Sequence, residues 1–286
     1  MRAVFVILYI ILGPFLGGLL EGLDRKIGAR MQGRQGPPLL QPFYDIAKLF
    51  SKRTLVVNRV QDFLIYGYLV FNIFTGCLFF AGEDFLLTLF ALTLAGIFSV
   101  MAACSASSPF SSMGSQRELM QMMAYEPMVL LTAIGFYQAT GSFMVKDIVS
   151  SSVAPIVAMP GFFVGFLFIL LIKFHKSPFD ISTSHHAHQE MVKGTTTELS
   201  GSILARSELA EWYENVFLVG VVGLFIVDSS WWSIPLAVLG GAAAYFIATL
   251  ADNVFPRVKW DTMLKATWAV TFFAGVGNLI VLTLMR

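Results

Sequence analysis

Several acidic groups stand where an apolar chain tolerates them least. In GSQRELMQMMAYEPMVLL (residues 114–131), Arg117 and Glu118 open a helix, and Glu126 lies eight residues further in, within an otherwise apolar stretch. Pro127 follows it directly and loosens the local helical hydrogen bonding. Glu118, Gln121 and Tyr125 follow i, i+3, i+7 and line one face. Downstream, Glu208, Glu211 and Asn215 share a face of a second helix that runs straight into the apolar segment 216–227, with Glu214 beside them. Carboxylates leading into a membrane helix are costly unless paired or hydrated, so the chemistry they suggest is proton exchange in a water-filled pocket. The plainer alternatives are a structural hydrogen bond between helices for Glu126 and a solvated helix end for Glu208 and Glu211.

The segment 173–215 also carries Asp180, Glu190 and Glu198 beside Lys173, Lys176, Lys193 and Arg206. His185, His186 and His188 have metal-ligating chemistry, but i, i+1, i+3 is poor geometry for three ligands on one rigid element, so a polar or pH-sensitive loop is the first reading. A second polar segment, residues 19–53, sets Arg25, Lys26, Arg30 and Arg34 every four or five positions after an apolar run. A rigid Gly36-Pro37-Pro38 turn follows. Then Leu39, Leu40, Phe43, Ile46, Ala47, Leu49 and Phe50 recur at helical spacing, with Asp45, Lys48 and Lys52 on the other face. This predicts an amphipathic helix on the membrane surface. Individually these cations could contact anionic lipid. Together, Arg25, Lys26, Arg30, Arg34, Asp45, Lys48 and Lys176 read as a docking surface for another protein.

The elements that must position these groups are membrane helices. The chain has 286 residues, 56% hydrophobic and only 13% charged, with mean hydropathy +0.73. Soluble domains carry roughly 25% charged residues. An ordinary soluble globule, a disordered chain and a disulfide scaffold are all excluded. A formal charge of +1 leaves no basic field for nucleic acid. Two cysteines, Cys77 and Cys104, cannot ligate a four-thiolate cluster or a Cys-rich zinc site. No GxGxxG, Walker, HExxH or GxSxG pattern occurs, so the chain itself offers no cofactor, metal or nucleophile site.

Apolar stretches of spanning length fall near 3–23, 63–82, 85–106, 119–140, 155–175, 212–231, 234–251 and 265–284. Residues 141–160 read as a loop or short amphipathic helix. The expectation is an all-α integral membrane protein of about eight transmembrane helices, one polytopic domain over 1–286. Its first loop is 24–62 and its large acidic loop 176–211. Sixteen of the 19 Lys and Arg residues fall on the side of those loops, Lys173 and Lys265 at helix ends included. By the positive-inside rule the large loops are cytoplasmic and both termini outside, in the cell membrane. No internal repeat is visible, which argues against a self-sufficient transporter.

The run DRKIGARMQGRQGPPLLQP with DIAKLF, then SPFD, GTTTELSG and LAEWYE, then FPRVKWD, resembles the complex I subunit 1 family over about residues 1–284. This family is the "heel" of the membrane arm, NuoH in bacterial quinone-reducing enzymes, and is shared with membrane-bound group 4 NiFe hydrogenases. The direct run from Gly36-Pro37-Pro38 into LLQP, Lys176 before SPFD and the longer STSHHAHQE stretch resemble EchB, the membrane component of Ech-type hydrogenases, more than the quinone-binding branch. The resemblance implies a non-redox membrane subunit. A peripheral arm of hydrogenase small and large subunits would carry the iron–sulfur clusters and Ni–Fe centre and take electrons from ferredoxin. An antiporter-like membrane subunit would adjoin it. The resemblance also implies a proton path through Glu118, Glu126, Asp180, Glu190, Glu198, Glu208 and Glu211, and a quinone-binding role as the alternative.

Overall fold

A computed structural model describes residues 2–53, 58–182 and 193–285. The described chain is a helical bundle: α1 (Arg2–Met31), α2 (Gln41–Ser51), α3 (Arg59–Ala81), α4 (Phe85–Cys104) and α5 (Pro109–Thr140) come first. Then follow α6 (Val145–Val149), α7 (Pro155–Ala158), α8 (Pro160–Lys173), α9 (Gly201–Ile226), α10 (Ser233–Val254), α11 (Trp260–Val270) and α12 (Gly277–Met285). A π-helical stretch, Thr271–Val276, joins α11 to α12, so Trp260–Leu284 forms one membrane-length rod. Among the described residues the strand content is a single bridge between Asp84 and Met144.

Among the described residues, seven helices are long and apolar enough to cross a membrane. The eighth expected span, 155–175, differs. α8 has 14 residues, a rise of about 21 Å against a hydrocarbon core of about 30 Å. Pro160 disfavours a helical conformation at Met159, which sits at φ −130° and ψ 55° and separates α7 from α8. The free first-turn amides of α8 are satisfied from outside the helix: Gly161 N and Phe162 N donate to Asn278 Oδ1 of α12 at 2.8 and 3.2 Å. α8 is interior, with Phe162, Phe166, Ile169 and Leu170 buried against Phe136 and Phe225. A short helix is tolerated there because its ends meet protein rather than lipid.

Other helices run past the membrane. α1 has 30 residues and α9 has 26, about 45 and 39 Å. The charged residues 24–31 therefore lie on the last turns of α1, and Glu208 and Glu211 lie on α9 rather than in a loop. Between the described helices the chain reverses on specific caps. Gly82 and Gly141 take left-handed conformations after α3 and α5, and Asp84 Oδ1 accepts from Leu86 N and Leu87 N. The segment 141–160 is indeed short helices and turns, pinned to the α3–α4 connection by Phe85 N to Phe143 O and Val145 N to Glu83 O.

Helix packing depends on small residues, as it does where lipid gives no hydrophobic drive for association. Gly17 of α1 lies against α9, where an added Cβ would sit 2.5 Å from Trp212 Cβ and 2.6 Å from Trp212 O. Because one of those neighbours is backbone, Gly17→Ala forces the helices apart. The expected loss is about 1–3 kcal/mol of stability, read as a lower melting temperature in mild detergent; an unchanged transition would refute this contact.

Candidate functional site

The site is built around the end of α8. Its last residue, Lys173, extends not into solvent but into the bundle, with 9% of its side chain exposed. Its Nζ lies 2.5 Å from Glu214 Oε1 of α9 and 3.3 Å from Tyr125 OH of α5. Tyr68 OH of α3 donates to the other Glu214 oxygen at 3.1 Å. Four helices thus contribute to one ion pair. Lys173 stands at a helix end, as the charge tally has it, but as a buried partner rather than an exposed cation.

The chain then continues as a buried loop, Phe174–Ser182, at helix ends. Such backbone is stable only if its polar groups are satisfied, and each neighbour supplies something. Ser177 N donates to Asp252 Oδ1 at 2.8 Å, Ser177 Oγ to Phe255 O at 3.1 Å, and Gln121 Nε2 to Phe179 O at 2.8 Å. Arg257 pairs with Asp180 at 3.0 Å. Lys176 pairs with Asp24 of α1, and Ser182 Oγ donates to Glu118 Oε2 at 2.5 Å. The following 3-10 turn, Gly194–Thr196, is pressed onto α5 at Gly114, where a Cβ would lie 2.6 Å from Thr195 N.

Between this loop, α3, α5 and α9 lies a polar cavity of about 30 Å³, walled by Tyr68, Glu118, His175, Ser207, Glu211 and Glu214, with Lys173 at its edge. That is room for roughly one or two waters. Glu211 stands in the field of Glu208, Glu21, Glu214 and Glu118. Glu208, half-buried one turn earlier, feels Glu21, Arg25 and Asp45 of the α1–α2 platform. A smaller apolar cavity of about 20 Å³ also has Lys173 in its lining, and Glu126 is in its wall.

The expected acidic residues therefore divide. Glu118 and Glu211 come together in the wall of the polar cavity, with Glu214 as the residue most firmly held, while Glu208 lies one turn earlier on α9, outside that wall but close enough to act on Glu211. Glu126 lines the apolar cavity, half-buried, and no described residue bonds its carboxylate. Asp180 is a buried fastener of the loop. Glu198 is half-buried in the turn before α9 and lines neither cavity. Glu190 and the three histidines 185, 186 and 188 lie outside the described residues.

On the basic platform, α2 lies across the ends of α1 and α9, with Ile46 packed on Trp212. Arg25 binds both Glu21 and Asp45, the latter at 2.7 Å, and Trp212 Nε1 donates to Glu21. Lys176 is turned inward. Arg30, Arg34 and Lys48 are exposed and Lys26 half-buried. An open groove of about 430 Å³ runs past Arg25, Gln32, Arg34, Pro37 and Asn253.

A family model described as "NADH dehydrogenase" matches residues 3–283. The chain belongs to this family. The NuoH component of NADH-quinone oxidoreductase from Carboxydothermus hydrogenoformans is 30% identical, covering 97% of this chain and 88% of that one. Hydrogenase-4 component C of Escherichia coli is 25% identical over 93% of this chain and 91% of that one, and formate hydrogenlyase subunit 4 of the same organism 25% over 90% and 91%. The fold superposes on a chain of the archaeal membrane-bound sulfane sulfur reductase, a respiratory membrane complex, with TM-score 0.85 at 22% identity, covering 98% of this chain and 99% of that one. The chain is thus a multi-pass membrane subunit of a complex I-related assembly.

Two outcomes follow from this geometry. Lys173→Met leaves the Glu214 carboxylate buried without its cation, a loss of about 3–5 kcal/mol. The double variant Lys173→Met/Glu214→Gln recovers most of it, and equal melting temperatures for the single and double variants would contradict the pairing. Asp45 titrates below the ordinary carboxylate range: partial burial pushes it up, but hydrogen bonds from Arg25 and Gln41 and the Arg25 charge outweigh that. A depressed carboxylate stabilises the fold above its unfolded pKa of about 4 and ceases to as pH falls through the folded value. Asp45→Asn should therefore lower the melting temperature slightly at neutral pH, by a few tenths of a kcal/mol for a partly exposed pair. The difference should vanish in acid, and a difference that persists there would count against the ion pair.

Proposed function

We propose that this chain is the heel of an energy-converting NiFe hydrogenase complex, anchoring its peripheral arm and coupling ferredoxin-linked H2 evolution or uptake to H+ or Na+ movement. The observation that carries the reading is the polar cavity: carboxylates from α5 and α9 and one buried ammonium around space for a water or two. Water-linked carboxylates in a membrane interior are the ordinary means of passing protons. The space is small for a quinone headgroup. The direct Gly36-Pro37-Pro38 to LLQP connection and the two hydrogenase-complex relatives support the same branch. Binding quinone is the second reading, favoured by the NuoH relatives.

On this reading the large loops face the cytoplasm and both termini lie outside, in the cell membrane. The exposed Arg30, Arg34 and Lys48, with the neighbouring groove, receive the arm, whose small and large subunits hold the iron–sulfur clusters and Ni–Fe centre. Those groups would supply the redox chemistry. This chain's part is electrostatic. A charge change at the arm moves the loop after α8, and Asp180, Glu118 and Lys176 move with it. The fields on Glu208, Glu211 and Glu214 then change, and with them the protons these groups hold. An antiporter-like membrane subunit takes up the displacement.

Purification of the tagged complex from native membranes should bring down nickel and ferredoxin-driven H2 evolution. Flavin and quinone reduction without nickel would favour the second reading. In proteoliposomes, Glu208→Gln or Glu211→Gln should retain electron transfer within about twofold while cation movement per electron falls at least about tenfold. Wild-type coupling in both variants would overturn the carboxylate path.

A further inference from the structure

Lys173 is the one described residue that lines both cavities, the polar one of Glu118, Glu211 and Glu214 and the apolar one of Glu126. It is also the only cation in the apolar wall. Its ammonium is bonded to Glu214, in the polar wall, and to Tyr125, in the apolar one. Next to Tyr125 in that apolar wall stands Glu126, a half-buried carboxylate that no described residue bonds, in a setting where an unpaired carboxylate is costly. A lysine carries its charge on four rotatable methylenes, so one end can serve two neighbours that share a wall.

We propose that Lys173 is a two-position cation, paired with Glu214 in the resting arrangement and turned into the apolar cavity onto Glu126 when Glu214 takes up a proton. This rests on the proton-path reading above and names the residue that links its two carboxylate groups. The charged and titratable groups facing Lys173 are Tyr68 from α3, Glu118, Tyr125 and Glu126 from α5, Glu211 and Glu214 from α9, and His175 from its own loop. Proton balance is simple. Glu211 in its acid form passes a proton through cavity water to the Glu214 carboxylate, and Glu211 is left as the anion. Neutral Glu214 no longer holds the ammonium, which keeps its own three protons throughout. As the ammonium reaches Glu126, that carboxyl releases its proton to water at its half-exposed edge. Charge moves on Lys173 and protons move on the carboxyls, so Lys173 acts as a positioning residue.

The test uses the intact complex and dicyclohexylcarbodiimide, which joins a paired amine and carboxyl as an amide, with mass spectrometry of the joined peptides. In the resting wild-type complex, Lys173 should link to Glu214. In Glu214→Gln, which mimics protonated Glu214, the Lys173–Glu126 link should rise at least about tenfold, and it should also appear in wild type under turnover. Lys173→Arg should keep cation movement within about twofold of wild type, while Lys173→Gln loses at least about tenfold. A Lys173–Glu214 link with no Lys173–Glu126 link in either Glu214→Gln or turnover would overturn the proposal and leave the Glu208 and Glu211 result untouched. Wild-type transport in Lys173→Gln would overturn it as well.

Discussion

A buried ammonium on α8 fixes the architecture around it. Lys173 and Glu214 have 9% and 10% of their side chains exposed, and taking two such charges out of water is repaid only when geometry is good and further hydrogen bonds share the charge. Tyr125 and Tyr68 supply those bonds from α5 and α3. A pair so placed ties four helices to one point, and helix α8 must end there, since its last side chain is the cation. The short length of α8, its cap by Asn278 and the dip of the following loop into the bundle all agree with that single requirement.

The loop after α8 extends the same logic. Buried irregular backbone needs partners from elsewhere, and here they come one by one from Asp24, Gln121, Asp252, Phe255 and Arg257. These lie on or beside α1, α5, α10 and the start of α11. A displacement of the loop would therefore be felt on α1, α5, α10 and α11, and one of its groups, Ser182, bonds Glu118 at the cavity wall directly. The peripheral charges of the platform reach the cavity by another route, since Glu21 binds Trp212 on α9, next to Glu211.

What the sequence makes legible follows from what periodicity can report. Apolar run length locates the membrane-length helices but not all of their ends, since α5 starts ten residues and α9 eleven before the expected spans and α1 runs eight beyond; helical spacing finds α2 and the shared face of Glu208 and Glu211. Run length does not find where helices outrun the membrane: the charges at 24–31 belong to α1, because a helix continues past the interface wherever its own hydrogen bonds and protein neighbours permit. Nor can it find Lys173. A cation at the edge of an apolar run looks like an interfacial anchor, and only the cross-helix position of Glu214 makes it a core residue. The signals available are local: Lys173 is flanked by Ile172 and Phe174, and Glu214 follows Glu211 by three, toward the apolar end of α9.

Spacing within one helix also gives Glu126 too simple a setting. Its apolar neighbours in sequence suggest isolation, yet the apolar wall it occupies includes Lys173, the cation paired with Glu214. Carboxylates alone would repel one another, and each proton added would only relieve that repulsion locally. A single positive charge shared by the group makes the state of each carboxyl depend on which of its neighbours currently holds the cation. On the proposed reading, the acid cluster and Glu126 communicate through the position of the charge on Lys173, the described residue that lines both cavities.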